Sequence, residues 1–163
     1  MRNFVAAACG IALVVAGTAY GAREGIKGLS IEKQADLYQI GKIEKTWHRS
    51  TSRKDLDLMM SIWAPNSTMT IGGATYTGKK AIRDVFAKSG PFQPNNHWVS
   101  DTPAYKIRAN VSGNKATFHF ECHYIDVDTG KLALAAGTDL DLRRIGGTWL
   151  ITNFTASSAT LSP

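Results

Sequence analysis

Apolar residues recur at helical spacing through Ile31, Ala35, Tyr38, Ile40, Ile43 and Trp47. Ser30 stands just before them as a suitable N-cap. The pattern predicts a first helix ending near Arg49, where Ser50-Thr51-Ser52 interrupts it. Ser52-Arg53-Lys54-Asp55 resembles a capping box opening a second helix. Leu56, Met59, Met60 and Trp63 form its apolar stripe, and Pro65-Asn66 marks its expected end. Gly72-Gly73, between Met69–Ile71 and Ala74–Tyr76, predicts a tight hairpin. A third helix opens at Thr77-Gly78, presents Ile82, Val85 and Phe86, and closes at Gly90-Pro91.

Beyond Pro91 the period changes to two. Strands are predicted near 97–109, 115–126, 132–143 and 148–155, with turns at Ser112-Gly113-Asn114, Asp128-Thr129-Gly130 and Gly146-Gly147. Helices and a small hairpin followed by an antiparallel meander define an α+β class, with the helices against one sheet face.

Composition narrows the options. The chain has 163 residues, 44% apolar and 20% charged, which argues against a disordered chain or a multi-pass membrane protein and leaves room for one core. The net charge of +6 is dispersed, and no basic stripe is interleaved with aromatics, so no nucleic-acid partner is expected. Met1-Arg2-Asn3 followed by the uncharged run Phe4–Ala22 has the layout of a secretory signal. The expected organisation is a signal peptide at 1–22, a linker at 23–29, one domain at 30–157 and a tail at 158–163. This predicts a secreted or periplasmic protein with no stable membrane insertion after cleavage; the alternative is an uncleaved N-terminal anchor. With Cys9 inside the leader, Cys122 stands alone and reads as a small buried hydrophobe.

Four stretches carry a resemblance. They are DLDLMMSIWAPNSTMTIGGATYTGKKAIRDVF (Asp55–Phe86), NHWVSD (Asn96–Asp101), the Gly113-Asn114 turn and GGTWLITNF (Gly146–Phe154). In order and spacing they resemble the SnoaL-like branch of the NTF2-like superfamily over roughly Ile31 to Thr155. The resemblance implies a cone: three N-terminal helices packed on a curved, mostly antiparallel sheet around an apolar cavity. Such proteins include dehydratases, isomerases, dehydrohalogenases and non-catalytic binders, so the fold does not decide the function. Many form homodimers through the outer sheet face. Scytalone dehydratase-like members use a His on the strand after the third helix, which matches His97. They add a second His on the next strand, which matches His123. Their Asp after the first helix corresponds here to Ser52, which cannot act alone as a base near neutral pH. His48 and Asp55 are the nearest substitutes.

The residues pose one geometric question. Along the strand at 115–126, Phe118, Phe120, Cys122 and Tyr124 share one face and His119, Glu121 and His123 the other. In the plainer reading the aromatic face is core, with Glu121 opposite Lys106 and His119 opposite Arg108. In the other reading His123 faces Ala135, Glu121 faces Gly137 and His119 faces Asp139, and the small residues leave room for a ligand. The resemblance favours placing the His/Glu face toward the cavity, with a partner subunit covering the aromatic face. For His97 to join His123, an irregularity near Thr102-Pro103 must reset the strand parity.

The expected catalytic set is therefore His97, His123, Asp139 and His48. The expected ligand contacts are Tyr38, Trp47, Trp63, Tyr76, Glu121, His119 and Ser52, with Tyr124 a further hydroxyl for the cavity. No metal and no cofactor is expected. The first functional reading is an exported binder of a small hydrophobic or cyclic organic molecule. The second is a cofactor-free lyase or isomerase of dehydratase type with a His-based acid/base pair. The third is a non-catalytic accessory or dimerisation domain.

Overall fold

The computed structural model describes residues 29–159. The leader at 1–22, most of the linker and the end of the tail lie outside the described residues. Helix α1 spans Ile31–Arg53, capped by the Ser30 side chain, which accepts from the Lys33 N–H. It continues through Ser50-Thr51-Ser52 rather than stopping near Arg49. The hydroxyls explain this: Ser50 and Thr51 both donate to the Trp47 carbonyl, Thr51 also reaching that of His48. They thereby stay compatible with the helical backbone. Lys54, in the left-handed region at φ 57°, ends the helix.

Helix α2 is only Leu56–Ser61, and its cap is Asp55, which accepts from the Leu58 N–H. The capping box expected at Ser52 does not form, because Ser52 is still inside α1. Trp63 leaves the helical stripe and begins strand β1 (Trp63–Ile71). Pro65, expected to end a helix, instead sits where β1 bulges against its neighbour, a position that tolerates a missing N–H. The hairpin to β2 (Ala74–Thr77) turns at Gly72-Gly73 as expected, with Ile71 opposite Ala74. Helix α3 is Lys79–Lys88, followed by a 3-10 turn at Gly90–Phe92.

The expected strand at 97–109 divides into β3 (Trp98–Asp101), a 3-10 turn at Ala104–Lys106 and β4 (Arg108–Ser112). Strands β5 (Lys115–Asp126), β6 (Lys131–Ile145) and β7 (Thr148–Ser157) complete the meander. The sheet order is β2-β1-β7-β6-β5-β3, with β4 also on β5. All pairs are antiparallel except β1 with β7. The α+β class is as expected, but the sheet is seven-stranded because β1 and β2 join the meander's edge.

The core lies between the helices and the inner sheet face. Ile40, Ile43 and Trp47 of α1 and Ile82 and Phe86 of α3 meet Phe118, Phe120, Leu140, Leu142, Ile151 and Phe154. At one end Asp36 of α1 accepts from Trp149 Nε1 at 3.1 Å and pairs with Arg144, fixing the helix to β6 and β7. Among the described residues no helix is long and apolar enough to cross a membrane.

Candidate functional site

The face question resolves against the ligand-facing expectation. Phe118, Phe120, Cys122 and Tyr124 are all buried inside the sheet. The pairs His123–Ala135, Glu121–Gly137 and His119–Asp139 form, although the loop sets Asp126 rather than Val127 opposite Lys131 and a bulge between Tyr124 and Ile125 restores the register. They form on the outer face. Burying four apolar side chains inward is worth roughly 1.5–3 kcal/mol for each large one, whereas turning the two imidazoles inward would require desolvating them; Glu121 is buried where it stands and pairs with Lys106. The room expected beside Gly137 is occupied by the neighbouring strand: a Cβ there would lie 2.5 Å from Ser157 Oγ. With the aromatic face already internal, the reason for a partner subunit to cover it disappears.

Most of the expected catalytic set lies on that outer face. His119 Nδ1 is 2.7 Å from Asp139 Oδ1, with Asp139 exposed. Glu121 is buried, 3.3 Å from Lys106 Nζ and 3.4 Å from His123 Nε2. His97 is exposed at the strand edge, bonded to Asp128 at 2.5 Å. The parity reset near Pro103 does occur. Asp101 faces His123 and Arg108 faces His119, so seven steps of one chain oppose four of the other. It places His97 on the face of His123, yet four residues further along, beside the 128 loop. The expected convergence of His97 and His123 inside a cavity does not form.

Three expected contacts likewise do not line the cavity. Tyr38 is 66% exposed on the outside of α1. Tyr76 of β2 is partly buried against the core and borders a surface hollow beside α3. Trp63 is fully buried in the core without lining the cavity.

The interior holds a different constellation. A cavity of about 200 Å³ lies between α1, α3, the Gly90–Phe92 turn and the inner faces of β1, β5, β6 and β7. Its wall is built mainly from Trp47, Met69, Phe86, Phe92, Ala136 and Phe154, and no charged side chain lines it. Trp47 is anchored by stacking on Phe154 at 5.6 Å and by edge contacts with Phe86 and Phe120. Its Nε1 is fully buried. The Cys122 thiol and the Tyr124 hydroxyl sit beside that indole and also line the cavity. Burial pushes the thiol up to about 12 and the phenol well above its ordinary value, so both remain protonated.

Behind Tyr124 lies a buried polar network. His48, on the inner side of α1, has Nδ1 2.5 Å from Ser100 Oγ and Nε2 2.5 Å from Thr102 Oγ1. Glu44, one helical turn earlier, approaches Nε2 at 3.2 Å. Ser100 also neighbours the Tyr124 hydroxyl. Ser52 is adjacent, its Oγ accepting from the Ser100 N–H at 2.9 Å. Thus Ser52 and His48 are brought together beside β3, but as backbone and side-chain anchors rather than at the cavity wall. Glu44, Ser100 and Thr102 were not singled out in the sequence. The i,i+4 spacing of Glu44 and His48 was the one available signal, and Ser100 and Thr102 become visible only through the β3–α1 contact.

Among the described residues, no three His, Cys, Asp or Glu side chains converge as a metal site.

Comparison with known proteins places this architecture. No functionally curated sequence matches the chain. An NTF2-like protein with a cystatin-like fold from Novosphingobium aromaticivorans superposes with a TM-score of 0.68 at 14% identity, over 80% of this chain and 86% of that one. A cystatin-like protein of unknown function from Nostoc punctiforme gives 0.66 at 14% identity, over 79% and 95%. The type 3 LinA hexachlorocyclohexane dehydrochlorinase from Novosphingobium barchaimii gives 0.64 at 18% identity, over 81% and 92%. These likenesses establish the NTF2-like fold. The model of the SnoaL-like domain matches residues 32–155, from the first turn of α1 to the end of β7, and the chain therefore belongs to the SnoaL-like family.

Proposed function

We propose that this protein binds a small organic molecule inside the cavity between the sheet and its helices. The observation that carries the reading is a hollow of about 200 Å³ whose wall is almost wholly apolar. A well-packed core leaves few voids larger than a water molecule. This volume exceeds the roughly 150 Å³ engineered apolar cavity known to accept benzene, so a ligand of about one ring is the right scale. The apolar run Phe4–Ala22 supports an exported protein, which N-terminal sequencing of the chain recovered outside the cytoplasm would check.

The test is recovery of the bound molecule. The purified protein should release a small organic compound on denaturation, detected by mass spectrometry. An Ala136→Leu variant adds three carbons to the wall and should lose it while still folding. No compound in the wild type, or unchanged retention in a folded Ala136→Leu variant, would overturn the assignment.

A second reading, a cofactor-free lyase or isomerase, has one favouring observation: the Glu44–His48–Ser100 chain leads to the Tyr124 hydroxyl at the cavity wall. Binding is preferred because both imidazole nitrogens already face protein hydroxyls and His97, His123 and Asp139 lie outside. Proton exchange at the carbon next to a ring ketone, followed by NMR in D2O and abolished by His48→Gln, would favour catalysis. Exchange no faster than in buffer would dismiss it.

A further inference from the structure

Five side chains around the hollow carry a hydrogen that could be given to a guest: Trp47, Ser89, Cys122, Tyr124 and Thr138. All five are committed inside the protein. Ser89 donates to the Phe86 carbonyl and Thr138 to the Phe120 carbonyl, each at 2.8 Å. The other three belong to one chain of hydrogen bonds: Trp47, Cys122 and Tyr124 bond among themselves, and Tyr124 bonds to Ser100. Proton counting gives that chain a direction. Thr102 donates its only proton to the Glu121 carbonyl, so in the neutral His48 ring Nε2 carries the hydrogen toward Thr102 and Nδ1 accepts from Ser100. Ser100 has then given its one proton to His48, and Tyr124 is the donor in the bond between Tyr124 and Ser100. The Tyr124 oxygen is left as an acceptor for the thiol and the indole.

No side-chain hydrogen at the wall therefore remains for a guest, and no charged side chain lines it. The way in is apolar as well, because Ile71 and Leu134 line the hollow and are both exposed. A guest oxygen entering here would give up its water and meet no donor in exchange. Resting on the cavity-binding reading, we propose that the site takes a neutral, hydrocarbon-like monocycle and discriminates against the same ring carrying a hydrogen-bond acceptor. The ring packs against Met69, Phe86, Phe92, Ala136 and Phe154. Selectivity is built by withholding donors: the chain through Tyr124 engages the thiol, phenol and indole that would otherwise receive an oxygen.

Two probes of equal size test this: methylenecyclohexane, and cyclohexanone, in which the terminal CH2 is replaced by oxygen. Each is titrated calorimetrically into the purified protein, and its partition between water and cyclohexane is measured alongside. A wall without a free donor receives the oxygen as an alkane does. The ketone should therefore be the weaker ligand, by a factor within about tenfold of the partition ratio of the two probes, or should not bind measurably. A ketone held more tightly than this by more than about tenfold, the scale of one hydrogen bond made at the wall, would overturn the hydrocarbon assignment while leaving the cavity reading intact. A folded Ala136→Leu variant should lose both probes. Binding of neither probe to the wild type, or unchanged binding of methylenecyclohexane to folded Ala136→Leu, would overturn the cavity reading and this inference together.

Discussion

Thr102 accepts from His48 Nε2 and donates its single hydroxyl proton to the Glu121 carbonyl, at 2.5 and 2.7 Å. The hydroxyl has only one proton to give. Nε2 must therefore carry the hydrogen, with Glu44 as a second acceptor at 3.2 Å. In the neutral ring, Nδ1 is left to accept from Ser100. One hydroxyl thus fixes the tautomer of a buried imidazole and ties α1 to β5 through the chain following β3.

Imidazole 15N shifts of His48 should accordingly report the Nε2–H form. Thr102→Val removes the link and leaves the Glu121 carbonyl without that donor. A loss of about 1–3 kcal/mol in urea unfolding is expected, with Thr102→Ser recovering much of it. An Nδ1–H signature, or a Thr102→Val variant as stable as wild type, would contradict this arrangement.

Gly137 is needed for closeness rather than for an unusual backbone. A Cβ there would meet Ser157 Oγ at 2.5 Å and the carbonyls of Ser158 and Ser157 at 3.0 and 3.2 Å. Gly137→Ala should cost about 1–3 kcal/mol by forcing β7 away from β6. Adding Ser157→Ala should restore only part, because the two backbone contacts remain. Chemical denaturation of the single and double variants reads this directly.

Cys122 should behave as an inert thiol. Burial pushes it up to about 12, so at pH 8 almost none is thiolate. In a Cys9→Ser chain, DTNB should not label the native protein and should label it stoichiometrically in denaturant. The linked stability is present below the ordinary thiol value and is lost as pH rises toward 12, because only the unfolded thiol ionises in that window. Fast labelling of the native protein at pH 8 would contradict the burial.

The Asp126 carboxylate closes the β5–β6 loop. Its pKa is lowered, first by the Thr129 N–H, then by the Thr129 hydroxyl, with the Asp128 N–H also donating. A depressed carboxyl stabilises the fold above its ordinary range, and that contribution is lost as pH falls through the folded value. Asp126→Asn should therefore melt below wild type at pH 7, with the gap closing as pH falls below the ordinary carboxylate range. A gap that stays constant across this range would show that the charge is not involved.

Local chemistry made much of the fold legible. The Ser30 cap, the Gly72-Gly73 hairpin and α3 follow from spacing and turn type alone, whereas His123, Glu121 and His119 reach Ala135, Gly137 and Asp139 only because a bulge after Tyr124 offsets a longer loop. Register follows from loop length and strand period only where no bulge intervenes. What spacing does not contain is which side of a correctly paired sheet the helices cover. That is decided by the total apolar area each face buries, and here four residues from Phe118 to Tyr124 outweigh two histidines and a glutamate. The end of α1 departs from its local pattern for a related reason: Ser and Thr disfavour helix locally, but Ser50 and Thr51 are buried and donate back to their own helix. The sequence alone determined the order of the main elements, the hairpin connections and the family, while packing set the ends of α1 and α2 and the parallel β1–β7 pair. The tertiary packing alone decided that Trp47, Cys122 and Tyr124 surround the hollow and that His97 and His123 do not, because the contact between a helix and a sheet face is set by side chains far apart in the chain.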